Sequence, residues 1–194
     1  RPGWFYHESE DARVKSPEEL FGIYLTSVGR GSVLLLNVPP DKRGLFHEND
    51  IRSLQGFRTL LDSEFKTNLA AGAAVISSSY RGKSSEFSPG NLTDGNKESY
   101  WATDDGTTAA SFEIDLGVRK VIKYIVLQEY ISLGQRVKSF NMEILTDEGW
   151  KIVATATTIG YKRILKIKPE ETRRIRVNIT DSKACPVISN VEVY

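Results

Sequence analysis

One cysteine, one methionine and two histidines stand among the 194 residues of this chain. The single thiol, Cys185, excludes an internal disulfide and any zinc site built from paired cysteines. No basic pair stands beside it in sequence, so it reads as a small buried hydrophobe and not as a reactive thiol. Neither sign of charge is in excess: 26 Lys and Arg face 25 Asp and Glu, a formal net charge of +1. Bulk charge therefore points to neither nucleic acid nor an anionic membrane. No apolar run approaches the roughly 20 residues that span a bilayer, and no fixed period suggests a solenoid or propeller. The chain opens Arg1-Pro2-Gly3-Trp4 with no Met and no signal-like segment, so it reads as a piece of a longer protein, with any export signal upstream.

What is present is ordinary for a globular protein, 40% hydrophobic and 26% charged, and long enough for one large or two small domains. In the first third, Ser16-Pro17-Glu18-Glu19 is a helix start. Ser16 fits the N-cap, Pro17 the first helical position and Glu19 the capping box. Leu20, Tyr24, Leu25 and Val28 follow at helical spacing, and Gly29 and Gly31 end the run. Ser32–Pro40 is a continuous apolar run without alternation, which predicts a strand buried on both faces, as in parallel sheets. Ile51, Leu54, Phe57, Leu61 and Phe65 then line one face of a second helix, with Glu48 and Asp50 at its positive start. Helix, doubly buried strand, helix is a slice of an α/β fold. One such strand needs neighbours that the chain does not contain, so residues 1–66 are expected to be the C-terminal end of a larger barrel or layered sheet.

Three motifs in order make that expectation specific: Arg1-Pro-Gly-Trp-Phe-Tyr-His7, Ser27-Val-Gly-Arg30, and Leu34-Leu-Leu-Asn-Val-Pro-Pro-Asp41 with Arg43-Gly44. Together they resemble the closing part of the catalytic barrel of family 29 glycoside hydrolases, the α-L-fucosidases. Gly31-Ser32 departs from the family's turn after the Arg. The resemblance implies a (β/α)-type barrel and a retaining exo-hydrolase acting on fucosylated glycans through two carboxylates. Both carboxylate positions fall upstream of Arg1, so no catalytic residue is expected here and the fragment alone should be inactive. Trp4, at the mouth of a barrel strand, is a candidate to pack on the sugar's apolar face, with core packing the alternative. His7 is a second substrate-binding candidate, with a surface or capping role the plainer reading. Glu8, Glu10 and Asp11 read as a solvated charge run. Arg30 and Asn37 read as groups that hold the barrel end together.

Near Thr67 the helical period is lost and the composition turns small and polar, which places a domain boundary there and a second domain over 67–194. Arg81–Gly90 reads as a surface loop. Beyond Ala110 the period is two. Phe112, Ile114 and Leu116 alternate with Glu113 and Asp115; Phe140, Met142 and Ile144 with Asn141 and Glu143; and Ile175, Val177 and Ile179 with Arg174, Arg176 and Asn178. Val121–Leu127 reads as a central strand, Asp147-Glu148-Gly149 as a hairpin turn, and Trp101 and Trp150 as core. The basic residues from Lys162 to Arg176 read as a solvated face. Many short strands between turn signals predict an antiparallel sandwich.

At its leading corner lies Asn91-Leu-Thr-Asp-Gly-Asn-Lys-Glu-Ser-Tyr-Trp101. Asp94-Gly95-Asn96 is a tight-turn signature, and Asp94, Ser99 and the turn carbonyls are also hard oxygen donors suited to calcium. This stretch, with Asn68-Leu-Ala70, Phe112-Glu-Ile-Asp-Leu-Gly117, Val177-Asn-Ile179 and Val191-Glu-Val-Tyr194, resembles the discoidin-like modules, including family 32 carbohydrate-binding modules. The resemblance implies ligand loops at one end of the sandwich and, in many members, a structural calcium. The glutamate those members place on the last strand falls on Asn190, which costs the site a charge, so calcium is a possible ligand and no cofactor is required. Glu129, Tyr130, Gln135 and Arg136 break the strand pattern and are candidates for module ligand or interdomain contact. The whole reads as the C-terminal part of a periplasmic or secreted α-L-fucosidase, partnered by the upstream barrel and a fucosylated glycan. Its rival is a non-catalytic glycan-binding or buttressing piece.

Overall fold

The computed structural model describes all residues, Arg1–Tyr194, and they divide into two compact units. The first holds Arg1–Val28 with Ser32–Lys66, and the second holds Gly29–Gly31 with Thr67–Tyr194.

The first unit is built on two helices, α1 (Pro17–Thr26) and α2 (Glu48–Glu64). Ser16 Oγ accepts from the Glu19 N–H at 3.1 Å and the Glu19 carboxylate accepts from the Ser16 N–H at 2.7 Å, so the capping box is complete. Helix α1 stops at Thr26 and leads into a 3-10 turn, Val28–Arg30. Helix α2 is capped by His47, whose Nδ1 accepts from the Asn49 N–H at 3.2 Å. The two helices approach closely where Gly56 faces Pro17: a Cβ at Gly56 would lie 2.6 Å from Pro17 Cγ, which only a glycine tolerates. Phe21, Tyr24, Phe57 and Phe65 fill the rest of the seam, with ring centroids 6.0–6.5 Å apart.

Between the helices the expected buried strand is not formed. Ser32–Pro40 is extended but joins no ladder, and Val33 and Leu35 are 89% and 90% exposed. A strand is defined by the neighbour that satisfies its N–H and C=O groups, and none in this chain does so. Ile51, expected on the buried face of α2, is 40% exposed, whereas Asp50 and Ser53 are buried.

The second unit is antiparallel throughout. Its strands are β1 (Ala74–Ser77), β2 (Trp101–Ala102), β3 (Ala110–Glu129), β4 (Val137–Thr146), β5 (Gly149–Ala156), β6 (Arg163–Ser182) and β7 (Val187–Val193). They hydrogen-bond in the order β2-β7-β3-β6-β4-β5, with β1 also on β3. Strands β3 and β6 are 20 residues each, longer than the short strands their alternation suggests, because each bends and continues. The first half of β3 pairs with β1 and the last half of β6; after a register break between Asp115 and Lys120, its second half pairs with β7 and the first half of β6. Phe112 and Ile114 from one half share a single core with Ile125 and Leu127 from the other, joined by Trp101, Phe140, Met142, Ile144, Ile188 and Val191. This is the two-layer packing of a sandwich, made by two bent strands serving both layers.

Strand β1 lies inside the small, polar stretch that follows the domain boundary. Its four residues are too few and too flanked by Ala and Ser to show a period. The Arg81–Gly90 loop is likewise more ordered than expected, containing 3-10 turns at Arg81–Lys83 and Ser85–Phe87 before Pro89–Leu92, with Leu92 fully buried.

Candidate functional site

One end of the sandwich is organised by Glu129, the last residue of β3. Its side chain is buried, and its carboxylate accepts from the N–H groups of Arg136 (2.7 Å), Val137 (2.9 Å) and Gly160 (2.6 Å). A buried carboxylate must be bonded, and here three backbone donors do it without a cation. Glu129 thereby ties the Tyr130–Arg136 segment to the turn before β6. At Gly160, φ is +66° and a Cβ would lie 3.1 Å from Gln135 Oε1, so the turn requires glycine. Beside it Gln128 donates to the Tyr161 carbonyl at 3.1 Å and accepts from Asn190 at 2.9 Å. Of the candidates on this segment, Glu129 is scaffold, while Tyr130 is half-buried and Gln135 exposed.

Arg136 turns inward. Its Nε donates to the Leu133 carbonyl at 3.2 Å, and Nη1 donates to the Cys185 carbonyl and to Cys185 Sγ, both at 3.0 Å. Arg81 Nη2 reaches the same sulfur at 3.2 Å. Cys185 is buried as expected, yet two guanidiniums flank it that no neighbouring sequence position announces. Tyr130 stacks on Tyr100 with centroids 4.5 Å apart, Tyr100 meets Phe87 at 5.4 Å, and Arg81 lies over Phe87 at 5.7 Å. Exposed Ile131 and Leu133 border this row. The end of the sandwich is thus a half-buried aromatic row on a pinned polar loop. Tyr130 and Arg136, candidates from the sequence, stand here with Arg81 and Phe87, which lie in a stretch without period and gave no sequence signal.

In the first unit Trp4 is 69% exposed. It borders a cleft of about 300 Å³ with Arg1, Gly3, Leu36, Asn37, Asp50 and Ser53. Asn37 Nδ2 donates to the Trp4 carbonyl at 2.7 Å and holds the backbone beneath the indole. His7 is exposed, stands before the 3-10 turn Glu8–Arg13 and makes no side-chain cap. The acidic run is only partly solvated. Glu8 pairs with Lys42, and Glu10 accepts from the Gly3 N–H. Asp11 meets Arg1 at 2.6 Å, Tyr6 at 3.2 Å and His47 at 3.2 Å. The Arg1 side chain, 1% exposed, also pairs with Asp50 at 2.6 Å and lies over the Tyr6 ring at 4.8 Å. Despite desolvation, Arg1 holds the Asp11 carboxyl below its usual range, with His47 adding to the effect.

The calcium candidates are hydrogen-bonded to the chain's own groups. Asp94 and Ser99 share an exposed turn in which Asp94 accepts from the Asn96 N–H at 2.8 Å and from the Ser99 hydroxyl at 2.6 Å. Asn190 lies buried on β7, where its Nδ2 donates to Gln128 at 2.9 Å and to Glu192 at 3.0 Å. No group of three or more His, Cys, Asp or Glu side chains is placed to hold a metal ion.

On the outer face of the sheet the three arginines that end the basic run are neutralised across the strands. Arg176 lies opposite both Glu113 and Glu143 and pairs with them at 2.8 and 3.3 Å; Arg174 pairs with Glu113 at 2.8 Å and Arg173 with Asp115 at 2.8 Å. Trp150 belongs to this face and not to the core, with the Arg176 guanidinium 3.8 Å from its ring centroid. Lys162, Arg163, Lys166 and Lys168 have no acidic partner.

A match to the F5/8 type C domain covers residues 74–193. Over its whole length the chain is 40% identical to Putative alpha-L-fucosidase 1 of Oryza sativa subsp. japonica, of which it covers 38%. It superposes over its whole length on the crystal structure of SpGH29 with a TM-score of 0.94 and 42% identity, covering 42% of that chain. A Ruminococcus gnavus GH29 fucosidase in complex with fucose is 36% identical with a TM-score of 0.89 and is covered over 39% of its chain. The chain thus spans about two fifths of the length of the relatives it matches.

Proposed function

Because this chain belongs to the F5/8 type C domain family over residues 74–193, we propose that it is the C-terminal part of a retaining exo-α-L-fucosidase. In this reading residues 1–66 close a (β/α) barrel and residues 67–194 are its carbohydrate-binding-type module. The observation that carries it is that similarity to fucosidases runs through both units, not the module alone. The exposed Val33 and Leu35 support it, since an extended apolar run without a ladder is what a barrel strand looks like when its neighbours lie elsewhere in the protein.

The chemistry follows from what the chain has and lacks. Hydrolysis with retention needs a nucleophilic carboxylate and an acid/base carboxylate about 5–5.5 Å apart on either side of the glycosidic bond. The motifs matched here belong to the barrel's end, so both groups are assigned to the upstream segment. Trp4, whose carbonyl accepts from Asn37, contributes an apolar plate for the fucose ring, and His7, exposed three residues on, is the second candidate contact. The module needs no cofactor. Its Tyr100–Tyr130 end is the surface offered to the glycan, and a periplasmic or secreted location suits a substrate of that kind.

The test compares the 194-residue chain with the same chain extended through its upstream reading frame. An aryl α-L-fucoside should be turned over only by the extended protein, with retention of anomeric configuration read by NMR of the first product. Turnover by the short chain, or inversion by the long one, would overturn the proposal.

A further inference from the structure

Arg81, Arg119, Arg173, Arg174 and Arg176 of the second unit each have an acidic partner, but the arginines gathered at the start of β6 do not. Arg30, Lys162 and Arg163 form no ion pair, and Arg163 Nε is buried without a hydrogen-bond partner. The turn Gly29–Gly31 brings Arg30 to this place. A Cβ at Gly29 would lie 3.1 Å from Ile164 Cβ, and one at Gly31 would lie 3.8 Å from Tyr161 Cβ, so the turn rests directly on residues 161–164. Arg30 is exposed, Arg163 is half-buried, and Tyr161 keeps 59% of its surface in solvent. Desolvation, and then the like charge of Arg30, push the Arg163 guanidinium below its ordinary value. Two arginines carried on adjoining turns without an acidic partner, one with an unmet N–H, constitute a deficit that an anion corrects.

We propose that Arg30, Tyr161 and Arg163 form a binding site for a carboxylate-bearing sugar, of the hexuronate class. The planar fork of a guanidinium matches the two oxygens of a carboxylate, and charge-assisted bonds of this kind are the strong ones. The exposed Tyr161 ring beside the pair supplies an apolar plate for the C–H face of a pyranose. Lys162 adds a third positive charge at the rim. The nearby acid, Glu129, cannot compete, because three backbone N–H groups already hold it. The site is separate from the Tyr100–Tyr130 row and stands on these residues whether or not the parent protein is a fucosidase.

The test is an NMR titration of the full 194-residue chain at low ionic strength with D-glucuronate, with D-glucose and sulfate as controls. Glucuronate should give saturable shifts at the amides of Arg30, Tyr161, Lys162 and Arg163, and glucose none. Arg163→Gln should weaken binding roughly tenfold or more, the loss of one charge-assisted contact. It should not lower the melting temperature, because it removes a like-charge pair. Arg30→Gln, at an exposed position, is the second variant and should weaken binding without touching the fold. The proposal is overturned if glucuronate gives no saturable shift, if glucose matches it, or if neither variant weakens it. Sulfate binding as tightly as glucuronate would overturn the assignment to a sugar.

Discussion

At the scale of single residues, the polar side chains of this protein act mainly on the backbone that carries them. Asp41 is the clearest case. One carboxylate oxygen accepts from the N–H groups of Arg43 and Leu45, and the other from the Arg43 guanidinium at 2.6 and 2.9 Å. Arg43 therefore pulls the Asp41 pKa from 3.8 to about 2. A carboxyl whose folded pKa lies below its unfolded value stabilises the fold above the unfolded pKa, and that contribution disappears as pH falls through the folded one. The 41–45 loop should consequently hold at pH 5 and loosen between about pH 4 and pH 2. Asp41→Asn should melt earlier than the parent at pH 7, and the difference should shrink steadily as pH falls from about 4 towards 2. A difference that stays constant across that range would show that the Arg43 pair does not set the loop's stability. Glu129 shows the same economy of role. Sequence marks it as an acid in a broken strand, a plausible ligand contact, whereas its three backbone donors make it the clasp of the loop.

At the scale of elements, what could be read in advance was whatever has a period or a fixed local chemistry. The Ser16–Glu19 box is such a case, since four consecutive residues contain both halves of the reciprocal bond. The alternation around Phe112, Phe140 and Ile175 is another, because burying one face leaves a mark every second residue. What could not be read depends on partners distant in the chain. β1 is only four residues long, too short to show a period, and its strand character comes from pairing with Phe112–Asp115. Arg81 and Arg136 meet at Cys185 from 104 and 49 residues away. Trp150 leaves the core because the register places it on the outer face of the sheet, beside Arg176. Gly56 is another silent position: in sequence it is a weak point in a helix, but in space it is the only residue that lets α2 approach Pro17. Gly56→Ala improves helix propensity by about 1 kcal/mol, yet its Cβ would sit 2.6 Å from Pro17 Cγ. Overpacking of this kind costs about 1–3 kcal/mol, so the variant should melt lower. A higher melting temperature would mean the helices part without penalty.

At the scale of the whole molecule, the two units differ in how complete they are. The second encloses its own core: Trp101, Phe112, Ile125, Met142 and Val191 are all essentially inaccessible. The first buries few large side chains fully and leaves Trp4, Phe5, Val33, Leu35, Leu45 and Phe46 in solvent. An apolar run on the surface contributes nothing to the stability of the unit that carries it, so its sequence has to be explained by something else. If the explanation is a barrel closed by upstream strands, then Val33→Lys with Leu35→Lys should separate two contexts. In the 194-residue chain both side chains are 89–90% exposed, so the double variant should melt within about 0.5 kcal/mol of the parent and aggregate less. In the extended protein the same lysines would enter a strand covered on both faces, where an unpaired buried charge costs several kcal/mol, and expression or activity should collapse. Equal tolerance in both contexts would mean that Ser32–Pro40 stays on the surface of the longer protein too, and the barrel assignment of residues 1–66 would fall with it.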